Sequence, residues 1–340
     1  MTTSNDSSAR NDMSSGSPRR PCGRDAANST PNTNFSPNTV ITNRRQALAT
    51  RISESPIRLG GVGSVGQALA VAEHGWDGLF LSGFAHTYEH FGLADEGFLT
   101  HEMQLGLLSR IRQRLPDTHI VVDIDTGLAG PIDSVCEIVR RLEAAGASAV
   151  VLEDQDLTKK RCGHLAGKEL MPSDAYVRKL EAVMGTVHQM AVVARTDASD
   201  RFDILQRVRD YAQCAPDFLL IDGITDTSLI SALYSEIKIP FAFNQMHKGK
   251  SPRLDADELY DLGVRLVIYS APCTFASMKA IYDELEAIDQ CGGALPENPA
   301  FGLADLTRLL DNINEKPLNQ HELSPAQALR AGAMRVSSVA

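Results

Sequence analysis

The sequence predicts an α/β fold: a (β/α)8 TIM-type barrel with extra C-terminal helices and a disordered N-terminal tail. Three observations carry this. From residue 57 short β-branched runs recur, each followed by a turn and a helical pattern. The runs are apolar along most of their length rather than alternating, which suits strands buried on both faces of a parallel sheet. Eight such units over about 220 residues fit a closed barrel better than an open sheet.

The elements follow in order. Of residues 1–40, 23 are Ser, Thr, Asn or Pro. So few apolar side chains cannot offset the entropy of ordering the chain, and 1–45 is expected to be a disordered tail. It lacks the apolar region of a secretory signal. The strands are read as Ile57–Gly63, Gly78–Gly83, His119–Asp125, Ala149–Gln155, Met190–Asp197, Asp217–Gly223, Ile239–Gln245 and Val264–Ser270. Helical stretches such as His101–Leu115, Ile132–Ala147 and Ala175–Val187 lie between them. In the second, Ile132, Val135, Ile138, Val139 and Leu142 share one face. The catalytic barrel is expected over 46–290, and a helical extension over 291–340, with helices at Leu303–Asn312 and Pro325–Met334.

Composition excludes several classes. The 340 residues are 43% hydrophobic and 22% charged, with 33 Lys and Arg against 43 Asp and Glu, a net charge of −10. A general nucleic-acid binder usually needs a basic face, so none is expected as partner. No apolar run approaches the ~18 residues that cross a membrane. The cysteines at 22, 136, 162, 214, 273 and 291 are scattered and lack CxxC spacing, which fits a reducing, cytoplasmic setting.

Chemistry gathers at the strand ends. Strand two ends in Ser82-Gly83, strand three in Asp123 and Asp125, and strand four in Glu153-Asp154-Gln155. Strand five ends in Arg195-Thr196-Asp197, strand six in Asp222, strand seven in Asn244 and strand eight in Tyr269-Ser270. In a barrel these ends share one mouth, where such enzymes work. Asp123 and Asp125, two apart on one strand, are expected to face the same side. With Glu153 and Asp95 they would make an all-oxygen site for Mg²⁺, or Mn²⁺, unless they simply pair with Lys160 and Arg195. Arg195 offers a planar fork for a substrate carboxylate, or a salt bridge within the mouth. Ser82 and the N–H groups around Gly83 could hold a carboxylate or enolate oxygen. Cys162 stands among Lys159, Lys160, Arg161 and His164, so its thiol is expected to be acidified and reactive, unless this is merely a solvated basic loop.

Leu152-Glu-Asp-Gln155, Lys160-Arg-Cys-Gly-His164 and Gly167-Lys-Glu169 together resemble the signature of the isocitrate lyase/phosphoenolpyruvate mutase superfamily. The K-R-C-G-H form is similar to its methylisocitrate lyase-like branch. The resemblance runs from about 55 to 290 and takes in Asp123-x-Asp125-x-Gly127, Ala194-Arg-Thr-Asp197, and Asn244 with Gly249-Lys-Ser-Pro252. It implies a Mg²⁺-dependent enzyme of 2-oxo-acid enolates, usually a homotetramer with exchanged C-terminal helices. Asp123 and Asp125 would hold the metal, with Asp95 and Glu153 acting through water. Ser82 and Gly83 would bind the pyruvate-like part, and Arg195 and Asn244 carboxylates. Lys160, Arg161, Cys162 and His164 would form a catalytic gating loop, with Cys162 as acid/base at the carbon released in a succinate-like product.

Some positions depart from the pattern. The strand-one turn is Gly60-Gly-Val-Gly-Ser-Val-Gly-Gln67, without the usual tyrosine and aspartate. Phe84 stands where a small residue is common. Asp222 and His247 stand where lyases usually carry Glu. These positions, expected to line the substrate pocket, leave its preference open. Gly61-x-Gly63-x-x-Gly66 mimics a dinucleotide fingerprint, but strand two lacks the ribose-binding acid. The glycines are read instead as allowing close backbone approach to a ligand. His86-Thr-Tyr-Glu-His90 spells a zinc-protease string but is read as a loop shaping the mouth.

The expected function is a Mg²⁺-dependent carbon–carbon lyase acting on a 2-methylisocitrate-like acid or substituted malate. A carboxyphosphonoenolpyruvate-type phosphonomutase and an oxaloacetate-type hydrolase are alternatives within the superfamily. A non-catalytic carboxylate-binding barrel is the alternative outside it.

Overall fold

A computed structural model of the chain describes residues 43–314, apart from 129, 298 and 300. Residues 1–42 of the expected tail, most of the 291–340 extension and its helix at Pro325–Met334 therefore lie outside the described residues, while Arg44 and Arg45, expected in the tail, are helical.

Eight parallel strands close in sequence order, each bonded to its neighbours and the last to the first. They are β1 (Ile57–Val62), β2 (Gly78–Leu81), β3 (His119–Asp123), β4 (Ala149–Glu153), β5 (Ala191–Thr196), β6 (Phe218–Ile221), β7 (Phe241–Gln245) and β8 (Val264–Tyr269). Their continuous apolar character follows from burial on both faces. Leu79 and Leu81 face the helical layer while Phe80 faces inward, and Val121 and Val151 are inward between outward neighbours.

The helices are α1 (Arg44–Glu54), α2 (Val65–Glu73), α3 (Gly83–Phe91), α4 (His101–Arg114), α5 (Ile132–Ala144), α6 (Ser173–Met184), α7 (Arg201–Ala212), α8 (Ser228–Ile237), α9 (Ala256–Asp261), α10 (Pro272–Gln290) and α11 (Leu303–Asn314). The helix expected at Leu303–Asn312 is thus present as α11.

Two elements differ from the sequence reading. The segment after Gly83, expected as a loop, is α3. Ser82 caps it by accepting from the Ala85 amide at 3.2 Å, and Gly92 ends it in the left-handed conformation at φ 63°. Before β1, α1 closes the N-terminal end of the barrel. Its Leu48 is fully buried in the interior cluster with Ile57 and Leu59. Arg45 and Arg51 pair with Asp217 at 2.7 Å and Asp77 at 2.5 Å, each just ahead of a strand.

Candidate active site

The strand ends meet at the C-terminal mouth around one small cavity. Ser82, Phe84, Asp95, Asp123, Cys162 and Arg195 line one part, with Asp222 and Asn244 beside them. Its floor is apolar: Phe80, Val151, Leu220 and Ile268. These four were absent from the expected site, yet each lies two residues before a polar strand end. The period-2 geometry of a strand puts such residues on the same inward face. Ser270 and Met246 also join the lining.

Asp123 and Asp125 do converge, though not by strand alternation. β3 stops at Asp123, and Asp125 sits in a left-handed turn at φ 47°, a conformation aspartate tolerates better than most side chains. Asp123 accepts from the Gly83 amide at 3.2 Å and from the Asp125 amide at 3.2 Å. Lys160, almost wholly buried, sets its ammonium 2.6 Å from Asp95, 3.2 Å from Asp125 and 3.9 Å from Glu153. Burial pushes Asp125 up to about 7 against the pull of Lys160. It also raises Asp123 and Glu153, opposed by Arg195 and Lys160.

This donor set fits a hard divalent cation. Asp125 Oδ1 and both Glu153 oxygens are buried without a hydrogen-bond donor, although Lys160 and Arg195 lie close by. Among the described residues no three candidate ligands close around one point. Mg²⁺ is commonly held by one or two carboxylates with water completing its shell, so Asp123 and Asp125 would be its direct ligands here.

Arg195 is less free than its sequence suggests. Its Nε and Nη2 bind both oxygens of Asp197 at 2.8 and 3.1 Å. Nη2 also lies 2.8 Å from Asp222 and 3.2 Å from Glu153. The fork is therefore largely engaged by the protein, although Arg195 still lines the cavity. Behind it, buried Asp154 accepts from Thr196, the Asp197 amide, Arg207 and Tyr211, fixing the end of β5. On the other wall, Asn244 donates to Asp222 at 2.9 Å, while Asn244 Oδ1 and Ser270 Oγ are buried without partners.

The thiol reverses its expectation. Cys162 is 9% exposed, and burial pushes it up to about 11, with the Asp95 charge adding to the shift. The expected acidification fails because the nearby cations are engaged or turned away. Lys160 is saturated by carboxylates, Lys159 pairs with Glu169 at 3.4 Å, and Arg161 with Glu96 at 3.7 Å. Cys162 is thus held as the protonated acid at neutral pH.

His164 is buried beside Asp222 at 3.6 Å. Its Nδ1 accepts from the Lys250 amide at 3.0 Å, and the Asn244 side-chain nitrogen lies 3.3 Å from Nε2. Burial lowers its pKa, so the ring is neutral. Two expected members lie apart. Arg161 is half exposed and donates to the Ala166 carbonyl at 3.0 Å, outside the cavity. His247 is exposed near Phe275, with ring centroids 6.3 Å apart. Phe84 does line the cavity.

The two tempting motifs resolve structurally. A β-carbon on Gly61 would lie 2.1 Å from the Ser270 carbonyl oxygen, so that glycine admits the neighbouring backbone rather than a ligand. His86 bonds Gln104 at 3.1 Å, and His90 bonds the Gly63 carbonyl at 2.9 Å, so both rings are used in holding α3.

A family model described as phosphoenolpyruvate phosphomutase matches residues 50–289. The chain is 32% identical over 216 residues to 2-methylisocitrate lyase of Bacillus subtilis, covering 63% of this chain and 70% of that protein. It is 32% identical over 235 residues to 2-methylisocitrate lyase of Aeropyrum pernix, covering 68% and 75%. A crystal structure of 2,3-dimethylmalate lyase superposes with a TM-score of 0.73 at 25% identity, covering 79% of this chain and 93% of that one.

Proposed function

Since the chain belongs to the phosphoenolpyruvate mutase/isocitrate lyase superfamily, we propose that it is a Mg²⁺-dependent carbon–carbon lyase. Its substrate would be a 2-methylisocitrate-like acid or a substituted malate, cleaved to pyruvate or another 2-oxo acid plus a succinate-like acid. The observation that carries this reading is the Cys162 thiol lining one cavity with Asp95, Asp123 and Asp222.

Cleavage of a 2-hydroxy acid would pass the hydroxyl proton to a carboxylate at the mouth and break the adjacent carbon–carbon bond. The oxygen becomes a carbonyl, and the bonding pair goes to the departing carbon as an enolate-type charge. A magnesium ion held by Asp123 and Asp125 would stabilise oxygen charge on the 2-oxo-acid part. Ser82 lines the cavity beside that part, while the Gly83 amide, engaged by Asp123 at 3.2 Å, would act by orienting that carboxylate. Arg195 and Asn244 would receive carboxylate and hydroxyl groups of the remainder. Cys162 would donate its proton to the departing carbon, a role that needs a thiol and not a thiolate. Exclusion of water by the Lys160–His164 turn would keep other acids from that carbon.

The test is pyruvate release from 2-methylisocitrate, read by a lactate dehydrogenase couple, with Mg²⁺ and then with EDTA. Pyruvate that disappears with EDTA supports the lyase and its metal. No pyruvate from folded protein overturns the 2-methylisocitrate assignment and turns attention to other substituted malates or phosphonates.

A further inference from the structure

With the Lys160–His164 turn in place the cavity measures about 20 Å³, space for about one water molecule. A di- or tricarboxylate enters only when this turn swings away. Whatever holds the turn down therefore governs access to Cys162.

Lys160 anchors one end of the turn through Asp95, Asp125 and Glu153, and the segment after β7 holds the other end from outside the cavity. The Lys250 amide donates to His164 Nδ1 at 3.0 Å, and its ammonium donates to the Leu165 carbonyl at 3.2 Å. A β-carbon on Gly249 would lie 2.7 Å from His164 Nδ1, so only glycine lets the imidazole rest on this peptide. The turn's own backbone is seated equally closely. A β-carbon on Gly163 would lie 1.9 Å from Asp222 Oδ2, and Lys168 donates to the Gly163 carbonyl while lying 3.1 Å from Asp197. A second cavity, of about 210 Å³ and bordered by Gly163, Lys168 and Lys250, leaves unfilled volume beside the turn.

We propose that Gly249 and Lys250 form a latch that keeps the Cys162 turn closed, with Lys250 a positioning residue acting through His164 and Leu165. A ligand must displace this latch to enter, and its return after entry would seal the thiol against the ligand. The consequence for turnover rests on the reading of Cys162 as the working acid, but the test needs no turnover.

The experiment is alkylation of the full chain by iodoacetamide, followed peptide by peptide, with buried Cys136 as internal reference. Lys250→Met removes one hydrogen bond and is expected to speed Cys162 alkylation about fivefold. Lys250→Arg keeps a donor and should return the rate close to that of the unmodified sequence. Gly249→Ala dislodges His164 and should speed Cys162 more than tenfold. Gly66→Ala, where a β-carbon meets nothing within 4 Å, should change nothing. Unchanged Cys162 rates in both Lys250→Met and Gly249→Ala overturn the latch, and so does a parallel rise at Cys136, which would signal general loosening. If the rates shift while no pyruvate forms, the latch stands and the lyase reading falls. If pyruvate forms while the rates stay fixed, the latch alone falls.

Discussion

Burial decides the behaviour of Cys162. Its thiol, pushed up to about 11, should show a thiolate fraction that climbs about tenfold per pH unit across pH 7 to 9.5. Iodoacetamide inactivation should rise steadily over that range; a plateau near pH 7 would instead reveal an acidified thiol. Cys162→Ala is expected to lower turnover by about 10²–10⁴-fold, the usual contribution of a general acid. Calorimetry should find ligand affinity retained; a non-catalytic binder would be indifferent to the change. At the acid cluster, Asp125 is raised from the ordinary carboxylate range to about 7, so the folded chain holds an extra proton between about pH 4 and 7. Stability from this group is present at low pH and declines as pH rises through that window. Asp125→Asn should raise the melting temperature at pH 7.5 without metal and diminish the rise that Mg²⁺ gives. The identity of these residues was legible as polar strand ends, but their ionisation was not. Motif spacing shows which charges are neighbours in sequence, not that Arg161 turns outward or that Lys160 is saturated.

Among the elements, α1 shows how a plain sequence hides a structural part. Leu48 sits fully buried at the closed end of the barrel, so Leu48→Ala should cost about 2–5 kcal/mol, seen as a lower denaturant midpoint. Around it, burial first and then the Arg44 and Arg112 charges drive His119 down to about 4. The unfolded chain then binds more protons between about pH 4 and 6.5, so stability is full above that window and falls on acidification through it. Replacing His119 with Asn should flatten this acid limb in urea titrations; an unchanged slope would place the titration elsewhere. The strands were legible because burial on both faces leaves long apolar runs, and α5 because its apolar face repeats with helical period. α3 was not, because nine residues with two histidines carry little periodicity. Its signals are the Ser82 cap and the Gly92 terminus.

For the whole molecule, the homotetramer expected from the family is carried forward as a proposal. Ile281, Tyr282 and Leu285 on α10 and Leu306 and Leu310 on α11 are exposed apolar side chains, which suit contact between copies. Light scattering should give four chains per particle, and Tyr282→Glu with Leu285→Glu should reduce that number; a monomer in the unmodified chain would overturn the proposal. Among the described residues no helix is long and apolar enough to cross a membrane. The sequence by itself determined the eight-fold barrel, the polar strand ends and the superfamily, because these depend on local burial pattern and on residues adjacent in the chain. Only the tertiary structure decided which of those residues share a cavity, that Arg195 spends its fork on Asp197, that Cys162 stays protonated, and that Gly249 and Lys250 reach across to His164. Each of these depends on through-space distance and on the water removed around a charge, and neither quantity is written in the order of residues along a chain.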